Sequence, residues 1–463
     1  MVKRILNKLR QQPAQQNDAS SALLLEGTVE PIAVTVLVVE LEGREGREVS
    51  ARLADFLMAF PGLSVTLARK RLKVSGDSGL VERLSAAGAA GRALLAQEGA
   101  DVLIWGEVAK DGGAAFIRFL PSAPDAEGKT GTFGLGDYLE LPAAFGEELG
   151  DIAAASAIAA AVPVKGDDDE AYARALVGAA SRVNGYVELT PQGLTASQAA
   201  AMLTCLGVCF AAMWRVKADD THLDRAIQIY SRALEICPAS SMPISHALVQ
   251  NHLASAYEAR AARNRDPEPL ERATRAYQAV TQTLDPRQHP QDWGFAQNRL
   301  GAALYRLALR RGNSTADLKA SIKALEAARL IFTRDEASER WAEVTNQMGV
   351  ALMGLGMQVS GPEALERSVA AFRETMEIRH QESSPLLWAQ TANNLGAALF
   401  ALYRRKGIAE LLDEAEQGFE GAHAIYSRYG EARMVEVIEK NLDRVRLARK
   451  GGRQRKAPPN GRR

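Results

Sequence analysis

The chain has 463 residues, 47% of them apolar and 24% charged, with 56 basic and 56 acidic side chains. That balance belongs to an ordinary soluble protein of about two to four domains. A net charge of zero excludes a whole-molecule bias toward nucleic acid or membrane. The bias is local: Lys3, Arg4, Lys8 and Arg10 open the chain, and nine Lys or Arg fall between Arg444 and Arg463.

Residues 1–28 read as a disordered or short amphipathic segment, with Ile5, Leu6 and Leu9 on one side. No apolar run follows the basic start, so no secretory signal is expected. IAVTVLVVEL (32–41) is an apolar, β-branched run and reads as a buried strand. After the GREGRE break, Val49, Leu53, Phe56 and Leu57 recur at helical spacing. LSVTLARK (63–70) alternates like a strand, and 79–98 reads as a helix. ADVLIWGEV (100–108) is a second buried strand, and AAFIRFL (114–120) returns after a turn as its hairpin partner. A Gly-rich loop, YLELP and a helix over about 143–161 complete an α/β domain with a small mixed sheet, placed at 29–162. An acidic linker follows at 163–169.

From 170 to 449 the period is helical, and it repeats. Trp293, Trp341 and Trp388 are 48 and 47 residues apart, and the same step reaches His246 and Ala199. Leu206-Gly207, Leu253-Ala254, Leu300-Gly301, Met348-Gly349 and Leu395-Gly396 share one column, and Leu223, Leu270, Leu318, Leu365 and Leu412 another. Such a period predicts stacked helix pairs, here one leading helix, five pairs and one closing helix. The tail, 450–463, is Gly- and Pro-broken and reads as a basic disordered end.

The second helices carry Ala226-x3-Tyr230-x2-Ala233, Ala273-x3-Tyr277-x2-Val280, Ser321-x3-Leu325-x2-Ala328, Ser368-x3-Phe372-x2-Thr375 and Ala415-x3-Phe419-x2-Ala422. With the Leu-Gly step and the WAQTANNLG string, this resembles the tetratricopeptide repeat, in the long bacterial form with a W-A-x-x-x-N-N-L-G motif. The unit is longer than the usual ~34 residues. The resemblance implies an all-α right-handed superhelix whose concave face is built by the first helices. Ala100 to Val108, backed by Ile32 to Leu41, resembles the TolB-type amino-terminal domain.

Four asparagines, Asn251, Asn298, Asn346 and Asn393, share one column, beside a variable polar one: Cys205, His252, Arg299, Gln347 and Asn394. An amide both donates and accepts. Such a row either binds the backbone of an extended peptide or pins neighbouring helices together. The resemblance extends to kinesin light chain, whose similar N-N-L pattern contacts cargo peptides. The Trp column reads as packing, each ring covering the preceding second helix. Cys205 and Cys209 are one helical turn apart, with His252 adjacent through the repeat, but too few ligands accompany them for zinc. Three cysteines in a long chain fit a reducing, cytoplasmic compartment. GDSG (76–79) has no His among residues 1–221 to serve as its base, and reads as a turn with Asp77 or Ser78 capping a helix. No phosphate-cradling motif occurs, and GTFGLGD (131–137) lacks the strand and helix such a loop needs. Glu40, Glu42 and Glu107 sit at or near strand ends, where α/β sheets form ligand crevices, but without a partner base or metal set they read as solvated edge charges.

The expectation is therefore a non-enzymatic scaffold without cofactor or metal, binding a protein or peptide partner. No nucleic acid or transmembrane segment is expected, and peripheral contact of the basic ends with an anionic surface is secondary. Two alternatives stand: an α/β small-molecule or nucleotide sensor with the repeats as relay, and an envelope-associated assembly factor.

Overall fold

The computed structural model describes residues 33–73, 80–123, 129–161, 169–263 and 265–456. The start of the chain, the GDSG turn with its Asp77 or Ser78 cap, most of the acidic linker and residues 457–463 lie outside the described residues. Strand β1 (Val34–Val39) leads through α1 (Gly46–Met58) to β2 (Leu63–Ala68), and α2 (Leu80–Glu98) leads to β3 (Val102–Val108). Next come β4 (Ala114–Pro121), β5 (Leu139–Pro142) and α3 (Glu147–Ala160). The sheet order is β2-β1-β3-β4-β5. The first three strands are parallel, and β3-β4-β5 are antiparallel.

Strand side chains alternate between faces, and both faces of this sheet are covered. Val34, Val36, Val38 and Ile104 pack with Leu53 and Leu57 of α1 and Ile152 and Ile158 of α3. Leu37, Val39, Leu103 and Trp105 pack with Leu84, Leu94 and Leu95 of α2. Double burial explains why β1 and β3 read as continuous apolar runs rather than alternating ones.

The helical part opens with α4 (Asp169–Val183) and a single turn, α5 (Gly185–Glu188). Five pairs follow. They are α6 (Ala196–Lys217) with α7 (Asp220–Ile236), α8 (Pro243–Arg263) with α9 (Glu268–Thr283), and α10 (Pro290–Arg310) with α11 (Thr315–Ile331). The last two are α12 (Ser338–Gln358) with α13 (Glu363–Met376), and α14 (Pro385–Lys406) with α15 (Glu410–Arg428). Helix α16 (Ala432–Lys456) closes the array. This is the arrangement of leading helix, pairs and closing helix that the period predicts. The chain end departs from expectation. Helix α16 continues through Gly451 and Gly452 to Lys456, where a disordered tail was expected from residue 450. Basic residues suit the negative end of a helix dipole, and Arg449 pairs with Glu416 of α15 at 2.7 Å.

The Leu-Gly column is the seam within each pair. Gly207 meets Tyr230, Gly301 meets Leu325, Gly349 meets Phe372 and Gly396 meets Phe419. A Cβ at Gly349 would lie 2.7 Å from the Phe372 ring. The missing side chain therefore lets the two helices close around the aromatic ring. Ser321 and Ser368 donate hydrogen bonds across the same seam to the Gly301 and Gly349 carbonyls, at 2.7 and 2.8 Å. Trp293 Nε1 donates to the Thr281 carbonyl of the preceding second helix at 3.0 Å. Trp341 lies under Arg329 and Arg334. Trp388 reaches Gly421 in its own pair, where the absent side chain makes room for the indole.

Successive first helices touch at most steps of the array (α6 with α8, α10 with α12, α12 with α14, α14 with α16, with α8 and α10 the exception), and no two successive second helices approach as closely. The first helices therefore line the inner, concave side. Helix α6 is apolar and long enough to cross a membrane by length and composition. Its residues from Gln198 to Met213 are buried, and it packs on α3, α4, α7, α8 and β5. One continuous core runs from the sheet through α3, α4 and α6 into α8. The α/β part and the first two pairs are thus joined by shared packing across the position of the acidic linker.

Candidate functional site

The four asparagines sit on successive first helices, and the structure divides their roles. Asn393 Oδ1 accepts from Asn441 Nδ2 of α16 at 3.4 Å, a direct amide rung between neighbouring first helices. Asn298 Nδ2 donates to Glu343 Oε1 of α12 at 3.4 Å, and Gln347 Nε2 donates to the same oxygen at 3.1 Å. Asn298 and Asn346 are only 8% and 7% exposed, and their buried Oδ1 atoms have no hydrogen-bond partner among the described residues. Asn251 and Asn394 are half-buried. Arg299 lies 4.0 Å from Glu258, a buried carboxylate that also pairs with Arg306 and accepts from the Tyr277 hydroxyl at 2.9 Å. Asn441 and Glu343 were not singled out in the sequence. Asn441 follows Asn393 by 48 residues, a step the repeat already uses, so the column extends one helix further.

His252 is corrected. Its Nε2 lies 3.0 Å from Asp137 Oδ1, and its ring stacks on Tyr230. Asp137 belongs to the segment between β4 and β5, so His252 faces the protein's own chain rather than an open groove. Residues 130–138 of this segment lie against the first helices. The Thr130 hydroxyl donates to the Ser255 carbonyl at 2.8 Å, and Arg215 donates to the Gly131 carbonyl at 3.0 Å. Gly131, at φ +74°, comes so close that a Cβ would overlap the Ala211–Ala212 peptide. Gly136 sits over Leu248. The Cys205 thiol lies 3.9 Å from the Tyr138 carbonyl, and Ser197 bonds Glu140. The segment reaches the start of α10. There burial pushes the Asp292 carboxyl up, with His289 opposing and Asp137 adding to the rise. The glycines read as a loop in sequence are therefore close-approach positions.

The other candidates are occupied by structural work. Cys205, Cys209 and Cys237 are buried free thiols, and burial pushes Cys209 up to about 12. A buried neutral thiol is a poor nucleophile. We expect native protein to resist alkylation by iodoacetamide at all three, with labelling only after denaturation. Rapid native labelling of Cys205 or Cys209 would contradict the packing described. Among the described residues no cluster of three or more His, Cys, Asp or Glu could hold a metal. Of the strand-end carboxylates, Glu40 pairs with Arg71 at 2.9 Å and Arg47 at 3.9 Å. Glu107 pairs with Arg118 at 3.6 Å, and Glu42 bridges to Glu107 through the backbone. Arg118 is buried between the Trp105 and Tyr138 rings, and burial holds its pKa below the usual arginine value. Glu40 and Glu107 are thus held in ion pairs rather than left as solvated edge charges.

Fold and site together define a helical repeat protein with an α/β domain packed into the concave side of its first repeats. No protein-family model matches the chain, and no curated protein is significantly similar to it. Solved structures similar to it include BtubC (BKLC) from P. vanneervenii, at 16% identity over 63% of this chain and 95% of that one, with a TM-score of 0.33. A circular tandem repeat protein with novel repeat topology is similar at 14% identity over 66% of this chain and 84% of that one, TM-score 0.26. At these scores the likenesses carry no argument beyond the geometry above.

Proposed function

We propose that the protein is a non-enzymatic, cytoplasmic interaction scaffold whose repeats are of the tetratricopeptide type, binding an extended peptide or protein segment on the concave face. One observation carries this reading: that face already holds a looped segment of the same chain, residues 129–138, through hydrogen bonds to its backbone carbonyls from Arg215 and Cys205. A surface built to hold polypeptide in one half has the chemistry to hold it in the other. Asn298 and Asn346 stand in the same column, and their Oδ1 atoms, though buried, have no hydrogen-bond partner among the described residues. The test is a peptide array probed with the full chain and with an Asn298→Ala, Asn346→Ala double variant of unchanged circular dichroism. Loss of capture is expected. Undiminished capture would make the amides purely structural.

A further inference from the structure

Two columns of the repeat set how neighbouring first helices meet. Seven places after the asparagine column, counted on α6 from Thr204, stand Ala211, Glu258, Tyr305, Met353 and Phe400. Eight places after it stand Ala212, Ala259, Arg306, Gly354 and Ala401. The second column is small on every first helix but α10, and small residues let helix backbones approach. Between α10 and α12 the effect is visible: a Cβ at Gly354 would stand 3.4 Å from the Tyr305 ring. At one step both columns change character together. There α8 offers Glu258 and α10 answers with Arg306. It is also the step at which successive first helices stay further apart.

An ion pair bridges that gap. Glu258 is 8% exposed, pairs with Arg306, lies 4.0 Å from Arg299 and accepts from the Tyr277 hydroxyl at 2.9 Å. The Arg306 side chain, 46% exposed, keeps one side in water. The apolar core changes at the same place. One cluster runs unbroken from the sheet to Ala259 of α8. Between the α8–α9 and α10–α11 pairs it gives way to three small clusters, to which α8 contributes only Ala247, Ala254 and Ala261. Larger clusters resume around Phe332 and Phe419.

We propose that the step from α8 to α10 is a hinge built into the array, with Glu258 and Arg306 as its latch. The α/β domain and the first two pairs move as one body, and the last three pairs with α16 as the other. Helix α9 stays packed on α10 and serves as the axis, while α8 and α10 part and close on the inner side. Arg306 holds the two helices apart where a glycine or alanine would let them meet, and its charge draws them together across the gap. Opening exchanges a partly desolvated ion pair for two hydrated charges, and these two states are nearly balanced in free energy. Salt screens the water-exposed side of the pair and favours the open form. No such exchange is available between α10 and α12, because parting Tyr305 from Gly354 only exposes apolar surface to water. The hinge is independent of what the concave face binds.

The test is pulsed electron-spin distance measurement on the full chain. Spin labels go on Gln228→Cys of α7 and Lys323→Cys of α11, one on each side of the step, and on Lys323→Cys with Ala370→Cys of α13 as a control beyond it. All three positions are exposed, and the native cysteines are buried away from the label. The distance across the step should be spread more widely than the control, and its mean should lengthen at about 1 M salt, where the screening length falls to ~3 Å. Glu258→Gln, which keeps the size but weakens the latch, should lengthen it without added salt. Glu258→Met with Arg306→Ala copies the side chains of Met353 and Ala401, from a step where the first helices touch. That double variant should narrow the spread to that of the control and abolish the salt response. A wild-type distribution as narrow as the control and indifferent to salt overturns the hinge, whether or not any variant folds. A folded double variant with an unchanged spread overturns the latch as its cause.

Discussion

Phe372→Ala lowers the unfolding free energy by about 3–5 kcal/mol, the range for truncating a fully buried aromatic. The ring is completely buried and fills the space that Gly349 leaves open on the facing first helix. Removing it costs both the transfer of the ring to water and the cavity left beside a glycine that has no side chain to relax into it. The measurement is urea denaturation followed by circular dichroism. Gly349→Ala supplies the second arm of a double-mutant cycle. Alone, its methyl would stand 2.7 Å from the ring and cost about 1–3 kcal/mol. In the Phe372→Ala background the same methyl enters an empty space. The two losses should therefore be strongly non-additive, with a coupling of about 1 kcal/mol or more. Additive losses would mean that the two residues do not meet. Because each repeat contacts only its neighbours, hydrogen exchange in Phe372→Ala should rise first in α12 to α15. The first pairs, which share the core of the sheet, should be less affected.

Gly131→Ala is the second large effect. The residue sits at φ +74°, where an L side chain costs roughly 1–2 kcal/mol. Its Cβ would also overlap the α6 backbone at Ala211 and Ala212, and overpacking adds about 1–3 kcal/mol. A total loss of about 2–5 kcal/mol is expected. The overlap is with backbone, which cannot rotate away, so relief requires the segment to lift from the helix. Amide exchange should then increase through residues 129–138 and along the stripe of α6 and α8 that the segment covers. Unchanged protection at those positions would show that the segment is held by the sheet alone. Asp137→Asn, which keeps the size of the side chain facing His252, tests the same contact without backbone strain and should give a smaller loss.

The repeat organisation was legible in the sequence because each copy records it again. A step of 47 or 48 residues, a seam of Leu or Met followed by Gly or Ala, and a large residue four places after a small one recur five times, so chance matches at single positions do not matter. The strands were legible for a related reason. Burial on both faces leaves a continuous apolar signature in Val34–Val39 and Val102–Val108 that needs no knowledge of the neighbours. The asparagine column was equally visible, though its two readings were not separable. A rung such as Asn393 to Asn441 and an unpaired acceptor such as that of Asn346 differ only in what faces them.

What faces a residue is decided by contacts between distant parts of the chain, and local periodicity does not record these. Residues 129–137 looked like a glycine-rich connection, yet Thr130 and its neighbours lie along helices whose contacting residues come more than sixty positions later. His252 belonged to a variable column that suggested an open face, and Asp137 closes it. The basic end of the chain looked broken by its glycines, while the helix carries on to Lys456 from a turn anchored by Arg449. The sequence by itself determined the elements and their stacking, because both follow from patterns of period two, 3.6 and 47. Only the tertiary structure decided which first helices the chain's own β4–β5 segment lies against. That depends on where one glycine-bearing segment comes to rest against surfaces built elsewhere in the chain.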